Sequence, residues 1–566
     1  MKDFLTLKHI KIALYVAIFI VASLLFLKWN IVNAPVPSAT TAATENANLP
    51  NNGANSLAPA GNTLNGVNLP VTTAGNAAPA QAQPPVLPNN LINVNTPLFQ
   101  VKIDPAGGNI VYAVLHQYNA DMGSSAPFML LNADPNSLYY VVDSGLVAGN
   151  ASLPQHMIFQ SVKTSYALNT NDQVLNVNLT WVGNGLSVVK TYTFFPNNYT
   201  VNVNYTIKNG TGSAWAGRFY GELTRNTPVS ESSLLNTYTN YTGAAISSPD
   251  NHYQKVKFAD MSESNLSQTV ASGWVAMLQH YFVTAWIPAQ GTAITQFSAV
   301  NGGLYSIGLA NPTISIASGA SATTGGTLYM GPAITTQLST AAPYLDKTVD
   351  YGWLWFISEL IFVVMKWIFA YVGNWGLAII LVTVLIKMVF YPLSAKSYLS
   401  MAKMRELQPK VAALKEKIGD DRQKLGVATM ELYRKEKVNP LGGCLPIVVQ
   451  IPVFIGLYWV LMESVELRQA PFYFWIHDLS ARDPYFILPV LMGLSMFIQQ
   501  RLNPAPPDPM QAKVMMFLPL VFTIMFLGFP SGLVLYWLVN NCLSILQQWW
   551  VMSRYHKKVA KRKAHA

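Results

Sequence analysis

A lysine, Lys387, interrupts the apolar run LVTVLIKMVFYPL at residues 381–393, with no acidic residue within two helical turns on either side. An ammonium without a partner in hydrocarbon costs several kcal/mol even on lenient insertion scales, so such a residue is read first as a working site. Thr383 stands one helical turn before it and Tyr391 one turn after. The last apolar segment carries a similar stripe, Trp537, Asn540, Asn541, Ser544, Gln547 and Gln548, at spacings of three and four. Gln450 lies within a third apolar segment, and Gln499 and Gln500 close a fourth. With the chain directions derived below, these polar groups gather in the inner half of a bilayer and leave the outer half nearly uniformly apolar. A through-pore needs polar groups at every depth. The pattern implies instead a wet cavity open to the cytosol, in which Lys387 stays hydrated, attracts the acidic or polar part of a passing chain and lowers the cost of drawing it into the membrane. Two plainer readings stand beside it. From roughly 8 Å inside the inner end, a lysine can snorkel to the headgroups, and Asn and Gln in spans ordinarily bond between helices.

The elements that must position these residues are membrane spans. Of 566 residues 51% are hydrophobic and only 11% charged, against roughly 25% charged in a soluble chain. The net charge of +10 is uneven: acids outnumber bases from 31 to 350, and the basic excess lies at the N-terminus and after 395. Residues 12–27, flanked by Lys2, Lys8, Lys11 and Lys28, read as a cleavable signal peptide or an uncleaved anchor (1–30), with the basic N-terminus cytosolic either way. Residues 31–95, rich in Ala, Pro, Asn and Thr with Glu45 their only charge, read as a disordered tether. From 96 to 342 short alternating runs follow one another, including VLNVNLTWVG (174–183) and two strands joined at Pro-Asn-Asn within 187–209. That texture predicts an exported all-β sandwich. His156 and His280 are isolated there, no nucleophile or metal-ligand spacing occurs, and Asn240-Tyr-Thr is a surface turn rather than a glycan site. The two cysteines, Cys444 and Cys542, both fall in apolar runs and form no disulfide framework.

Charge orients the rest. The loop 396–438 holds eleven Lys/Arg against six acids. It falls in the cytosol only if the apolar segment 353–369, with Glu359 and Lys366 on one face, lies flat on the outer surface instead of spanning. The interfacial element is then 343–373 and the spans 374–395, 441–462, 485–501, 513–528 and 532–552. With the first segment these make six spans and two cytosolic termini. FPSG (529–532) is a tight external turn. In the loop, Met401, Met404, Leu407, Val411, Leu414 and Ile418, then Leu425, Ala428 and Leu432 after Gly419-Asp420-Asp421, predict a helical hairpin with one apolar seam. It either packs on itself or docks an acidic partner or membrane phosphates. The basic tail 553–566, with six Lys/Arg, suits anionic lipids or ribosomal RNA.

Long contiguous segments resemble the YidC/Oxa family of membrane protein insertases in its Gram-negative bacterial form. They are TVDYGWLWFIS (348–358), YPLSAKSYLSMAKMRELQPK (391–410), LYRKEKVNPLGGCLPIVVQIP (432–452), SVELRQAPFYFWIHDLSARDPY (464–485) and FPSGLVLYW (529–537), with GWVAMLQHYFVTAWIP (273–288) similar to the family's periplasmic domain. The resemblance implies a polytopic α-helical protein of the bacterial inner membrane, with an uncleaved first span, a periplasmic β-supersandwich and a five-helix insertase core (374–552) whose hydrophilic groove is closed to the periplasm. It implies a chaperone-like insertase, not an enzyme, that places nascent membrane proteins laterally into the bilayer, alone or with the Sec translocon. The hairpin and tail would meet the ribosome and the signal-recognition receptor; no DNA partner and no cofactor or metal is implied. By resemblance Thr383 is the groove threonine, Tyr536 and Trp537 a functional aromatic pair, and Pro446, Ile451, Phe454, Pro519 and Met525 an apolar slide along the third and fifth spans. One departure is that bacterial members usually have arginine where Lys387 stands, so the charge is kept but the planar fork of donors is lost.

Two other function classes are weighed against this one. A secondary transporter would need paired broken helices and ionisable groups near the midplane, and the sequence offers neither repeat nor acid partner. An envelope binding protein with the spans as a mere anchor would leave the polar stripes without purpose.

Overall fold

The computed structural model describes residues 90–134, 137–149, 153–154, 157–227, 241–419, 421–439, 445–503 and 509–564, with two two-residue strands at 63–64 and 67–68. The first apolar segment, most of the tether, His156, Asn240 and Cys444 lie outside the described residues.

The exported region forms two packed sheets of nine and eleven strands, antiparallel apart from the parallel pairing of Ile92–Asn95 with Ser165–Ala167. Strand Ile92–Asn95 pairs with Phe99–Asp104, so the β domain begins four residues before the expected boundary at 96. Period-2 patterning explains the core. In Leu186–Phe194, residues 186, 188, 190, 192 and 194 are buried and the alternate ones are not, and Thr200–Asn209 pairs with it across the expected Pro-Asn-Asn connection. The inner faces interlock through aromatics: Phe219 of one sheet meets Trp286 (5.6 Å between centroids) and Tyr205 (5.8 Å) of the other. Each such fully buried side chain contributes roughly 1.5–3 kcal/mol by leaving water.

Among the described residues, eight α-helices carry the rest of the chain from Trp355 onward. Helix α1 (Trp355–Val372) ends at Gly373, whose φ of 63° suits glycine. Asn374 then caps α2 (Trp375–Val389), its side chain accepting from the Leu377 amide at 3.0 Å. After Phe390 the chain bends by 68° into α3 (Tyr391–Ile418), with Pro392 in its first turn. The sequence-expected inward span 374–395 therefore stops as a straight helix at 389.

Helix α3 and α4 (Arg422–Lys435) make the hairpin, with Asp421 capping α4. Tyr398, Met401, Met404, Leu407 and Val438 form its buried seam, and Val551 packs onto them from helix α8 (Ser531–Ala564). Glu406 accepts from Tyr555 of α8 at 2.9 Å. The seam is thus shared with the last helix, which the spacing of the loop residues did not reveal.

The core is completed by α5 (Leu445–Glu463), α6 (Ile487–Leu502) and α7 (Pro509–Phe526). Among the described residues, Gly352–Val372 is the helix long and apolar enough to cross a membrane on its own; α2 and α3 pass together as a bent pair, and the apolar stretches Val448–Glu463, Ile487–Leu502 and Ala512–Phe526 are shorter. Yet α1 meets the core near one end of α5. A Cβ on Gly456 would lie 3.0 Å from Ile357, Lys366 pairs with Glu466 at 3.4 Å, and Asn374 donates to the Pro471 carbonyl.

The segment after α5 ties three parts together. Arg468 donates to the carbonyls of Asn119 and Ala120 at 2.8 and 2.9 Å and lies over the rings of Phe128 and Phe282 in the β domain. His280 is not isolated: its Nε2 is 2.8 Å from the Met462 carbonyl, and burial lowers its pKa to about 4, so the ring is neutral.

Candidate functional site

Lys387 sits in the last turn of α2, where a cation complements the exposed carbonyls of the helix end. Only 7% of it is exposed. Its Nζ donates to Ser544 Oγ at 2.7 Å and to Gln450 Oε1 at 3.5 Å. Gln450 in turn donates to Tyr536 OH at 3.2 Å and to Asn540 Oδ1. The Ser544 hydroxyl donates in turn to the Asn540 carbonyl at 2.7 Å, and the Gln547 amide donates to the Lys387 carbonyl at 3.5 Å. Three helices, α2, α5 and α8, therefore converge on one ammonium, and both side chains that accept from it, Ser544 and Gln450, are neutral. The described ion pairs do not include Lys387. An ammonium has three donors, and two are engaged here.

Beside this network opens a cleft lined by Lys387 and Gln450 with Ile386, Phe390, Ser394 and Val449. Beyond it, along α8 toward the FPSG turn, rings fill the space between helices. Trp537 meets Phe454 at 4.7 Å and Phe526 at 5.1 Å, and Phe526 stacks on Phe529 at 4.7 Å. Polar chemistry sits at one end and an aromatic plug at the other.

The structure brings together Lys387, Gln450, Tyr536, Asn540 and Ser544. Trp537 belongs to the plug. Thr383 is buried on the Lys387 face, but its hydroxyl donates to the Ile379 carbonyl at 2.6 Å, within its own helix. The Asn/Gln stripe divides in two. Asn541 donates to Ser495 Oγ at 3.0 Å and Gln548 to Leu502 and Asn503 of the α6 end, both at 3.2 Å, so this half is ordinary interhelical bonding. Of the apolar slide residues, Ile451 and Met525 are about half exposed, Phe454 packs in the plug and Pro519 is buried. Pro446 begins α5, with its side chain outside the described residues. Sequence reading missed Ile386, Phe390 and Ser394. Helical spacing from Lys387 points to Phe390, three residues on, and to Ser394, seven on across the Pro392 bend, whereas Ile386, its immediate neighbour, carries no such signal.

Residues 367–558 match the family model described as 60Kd inner membrane protein, and residues 91–364 match the one described as YidC periplasmic domain. A Pseudomonas putida protein named "Membrane protein insertase YidC" is 46% identical, over 98% of this chain and 99% of its own length. A Coxiella burnetii protein of the same name is 48% identical, over 84% and 85%. The chain belongs to the YidC family of membrane protein insertases. It is accordingly an inner-membrane protein with a periplasmic domain, and that domain is the two-sheet region described above. A solved YidC insertase structure aligns with 81% of this chain and 92% of its own, at 18% identity and a TM-score of 0.37. Within this YidC-family chain, the cleft and its ammonium occupy the part matched by the inner-membrane model, and the β domain contributes no side chain to them.

Proposed function

We propose that this chain inserts hydrophobic segments of nascent membrane proteins laterally into the inner membrane, using the Lys387 cleft as a polar recess open to the cytosol. The observation that carries the reading is a buried ammonium with neutral partners only, beside a cleft, on a helix that bends away just beyond it. A cation held this way can receive the acidic or polar flank of an incoming chain as an additional partner. The exchange of hydrophobic segment from water to lipid supplies the driving force, roughly 25 cal/mol per Å² of apolar surface transferred. Exposed Ile451 and Met525 suit an apolar path beside the recess.

In this reading α1 lies flat on the periplasmic surface. Its ties to Glu466 and to the Pro471 segment, both beyond the end of α5 that the charge distribution places outside, support that orientation. Six spans, cytosolic termini and a cytosolic hairpin then follow from the charge distribution, the linker 31–95 from its composition, and an uncleaved first span from the family resemblance. The hairpin and basic tail would receive chains from the ribosome or the signal-recognition receptor and rest on anionic lipid, with the Sec translocon as partner for some substrates.

The test is an in vivo insertion assay on a small single-span substrate with an acidic exported tail, using Lys387→Ala, Lys387→Glu and Lys387→Arg. Ala and Glu should lower insertion at least tenfold while Arg supports it. Equal insertion by all three variants would reduce Lys387 to a snorkelling residue and sink the reading.

A further inference from the structure

The segment between α5 and α6 holds its aromatic residues in two opposite ways. Phe472 and Trp475 pack against the core, whereas Tyr473 is 50% exposed and Phe474 87% exposed. Phe474 also has a φ of 62°, in the left-handed region that crowds any residue with a Cβ and is a clear outlier for a bulky one. Glycine would hold this turn without strain. The sequence instead sets a large apolar side chain there and leaves it in the open.

The loop beneath the tip is firmly framed. The Phe472 amide donates to the Ile476 carbonyl at 2.9 Å across the tip, and the Leu479 amide to the Ala470 carbonyl at 3.0 Å. Asp478 accepts from the Gln469 and Ser480 amides at 3.2 and 2.8 Å. Asp483, buried, accepts from the Trp475 indole at 3.0 Å and from the Tyr485 and Leu488 amides at 3.0 and 2.7 Å. The Ser531 and Gly532 amides of the FPSG turn donate to the Ala481 and Leu479 carbonyls at 2.7 and 2.9 Å. A strained residue that such surroundings hold in place points to a function for its side chain.

The same frame sets the level of the tip. Arg468 bonds the periplasmic domain at Asn119 and Ala120, and His280 of that domain meets Met462, so the loop lies on the periplasmic side. On its other flank Asn374 donates to the Pro471 carbonyl and a Cβ on Gly376 would meet Phe472, so the loop rests on the first turn of α2. In the proposed topology, on which this step rests, α2 enters the membrane there. The exposed rings Trp353, Phe356, Trp367 and Tyr371, in and just before α1, lead to the same junction at Gly373. Exposed aromatics at the edge of a span belong to the water–lipid interface, where an apolar ring leaves water without entering the chain's own core.

We propose that the Tyr473–Phe474 tip is a lipid anchor: it dips into the periplasmic leaflet at the boundary between headgroups and acyl chains, with phospholipid as its partner. The anchor is separate from the Lys387 cleft and steadies the outer end of the core against the bilayer.

The test places a nitroxide on Phe474→Cys in full-length protein whose Cys444 and Cys542 are replaced by alanine, reconstituted in vesicles of phosphatidylethanolamine and phosphatidylglycerol. Collision with oxygen, which concentrates in lipid, should exceed collision with a water-soluble nickel chelate severalfold. At Val162→Cys, on an exposed position of the β domain, the order should reverse. Independently, p-benzoylphenylalanine at position 474, irradiated in cells, should crosslink to phospholipid. A label reached mainly by the nickel chelate would put the tip in water and overturn the anchor. A label reached by neither reagent, or a crosslink to protein in place of lipid, would put a protein surface there and overturn it as well. If the labelled variant does not reconstitute, the crosslink decides, since it keeps an aromatic ring at the tip. These outcomes are distinct from the Lys387 reading, which the insertion assay decides by itself.

Discussion

Among the described residues two lysines are buried, Lys190 and Lys387, and they are buried differently. Lys190 lies in the β domain with no exposed surface, its Nζ donating to the carbonyls of Gly107 and Ser144 at 3.2 Å each. The rings of Tyr192 and Tyr205 close on it at 5.2 and 5.1 Å. Fixed backbone acceptors and two π faces enclose that cation, which suits it to structure and closes it to anything else. Lys387 has a hydroxyl, a longer contact to an amide oxygen and a cleft. Its partners are side chains that can turn away. On the proposed function, the contrast separates a cation that ties a domain together from one held ready for exchange.

The largest effect that sharpens this contrast is on stability. Lys190→Met strands two buried carbonyls and should cost the β domain about 2–4 kcal/mol. Lys387→Met loses the interhelical hydrogen bonds to Ser544 and Gln450, the second a long one, and should cost the core about 1 kcal/mol. Denaturant unfolding of the two full-length variants checks both, and equal losses would erase the distinction. Next comes Gln450→Leu, which removes the bridge from Lys387 to Tyr536 and Asn540 while leaving the charge. Insertion of an acid-tailed substrate should fall several-fold, and insertion of a substrate without acidic flanks should change less. An equal fall for both substrates would make Gln450 a packing residue.

The smallest effect lies again in the β domain, where Glu222 faces Asp143 across paired strands. Burial, then the Asp143 charge, raise the Glu222 pKa to about 7 from 4.5. A carboxyl with a raised folded-state pKa binds more protons folded than unfolded in that interval, so stability falls as pH climbs from about 4.5 to 7. Glu222→Gln should flatten that part of the pH–stability curve. Lys190 has the opposite sign. Desolvation depresses its pKa, so its contribution to stability rises with pH up to the ordinary lysine value.

How much of this was legible in the sequence differs between the two lysines. Lys387 announced itself because a charge in an apolar run violates a local rule. Lys190 was equally exposed to reading: in LSVVKTYTF it falls on the inward face with Leu186, Val188, Tyr192 and Phe194. It passed unnoticed because polar residues are unremarkable in a strand until the other face is known to be covered. The strands themselves and the Met401, Met404 and Leu407 part of the hairpin seam follow short periods and were read correctly. The division of the Asn/Gln stripe was not, since Asn540 and Asn541 are neighbours in sequence and face different helices.

The sequence alone determined where the chain is apolar, where it alternates, which side of the membrane its charges favour and that one lysine needed an explanation. These depend on residues within a few positions of one another. Only the tertiary structure decided what the buried charges touch. Lys190 meets a carbonyl 83 positions away, Lys387 a hydroxyl 157 positions away, and Arg468 a carbonyl 349 positions away. Such partners are chosen by how sheets and helices pack, and no local period records that choice.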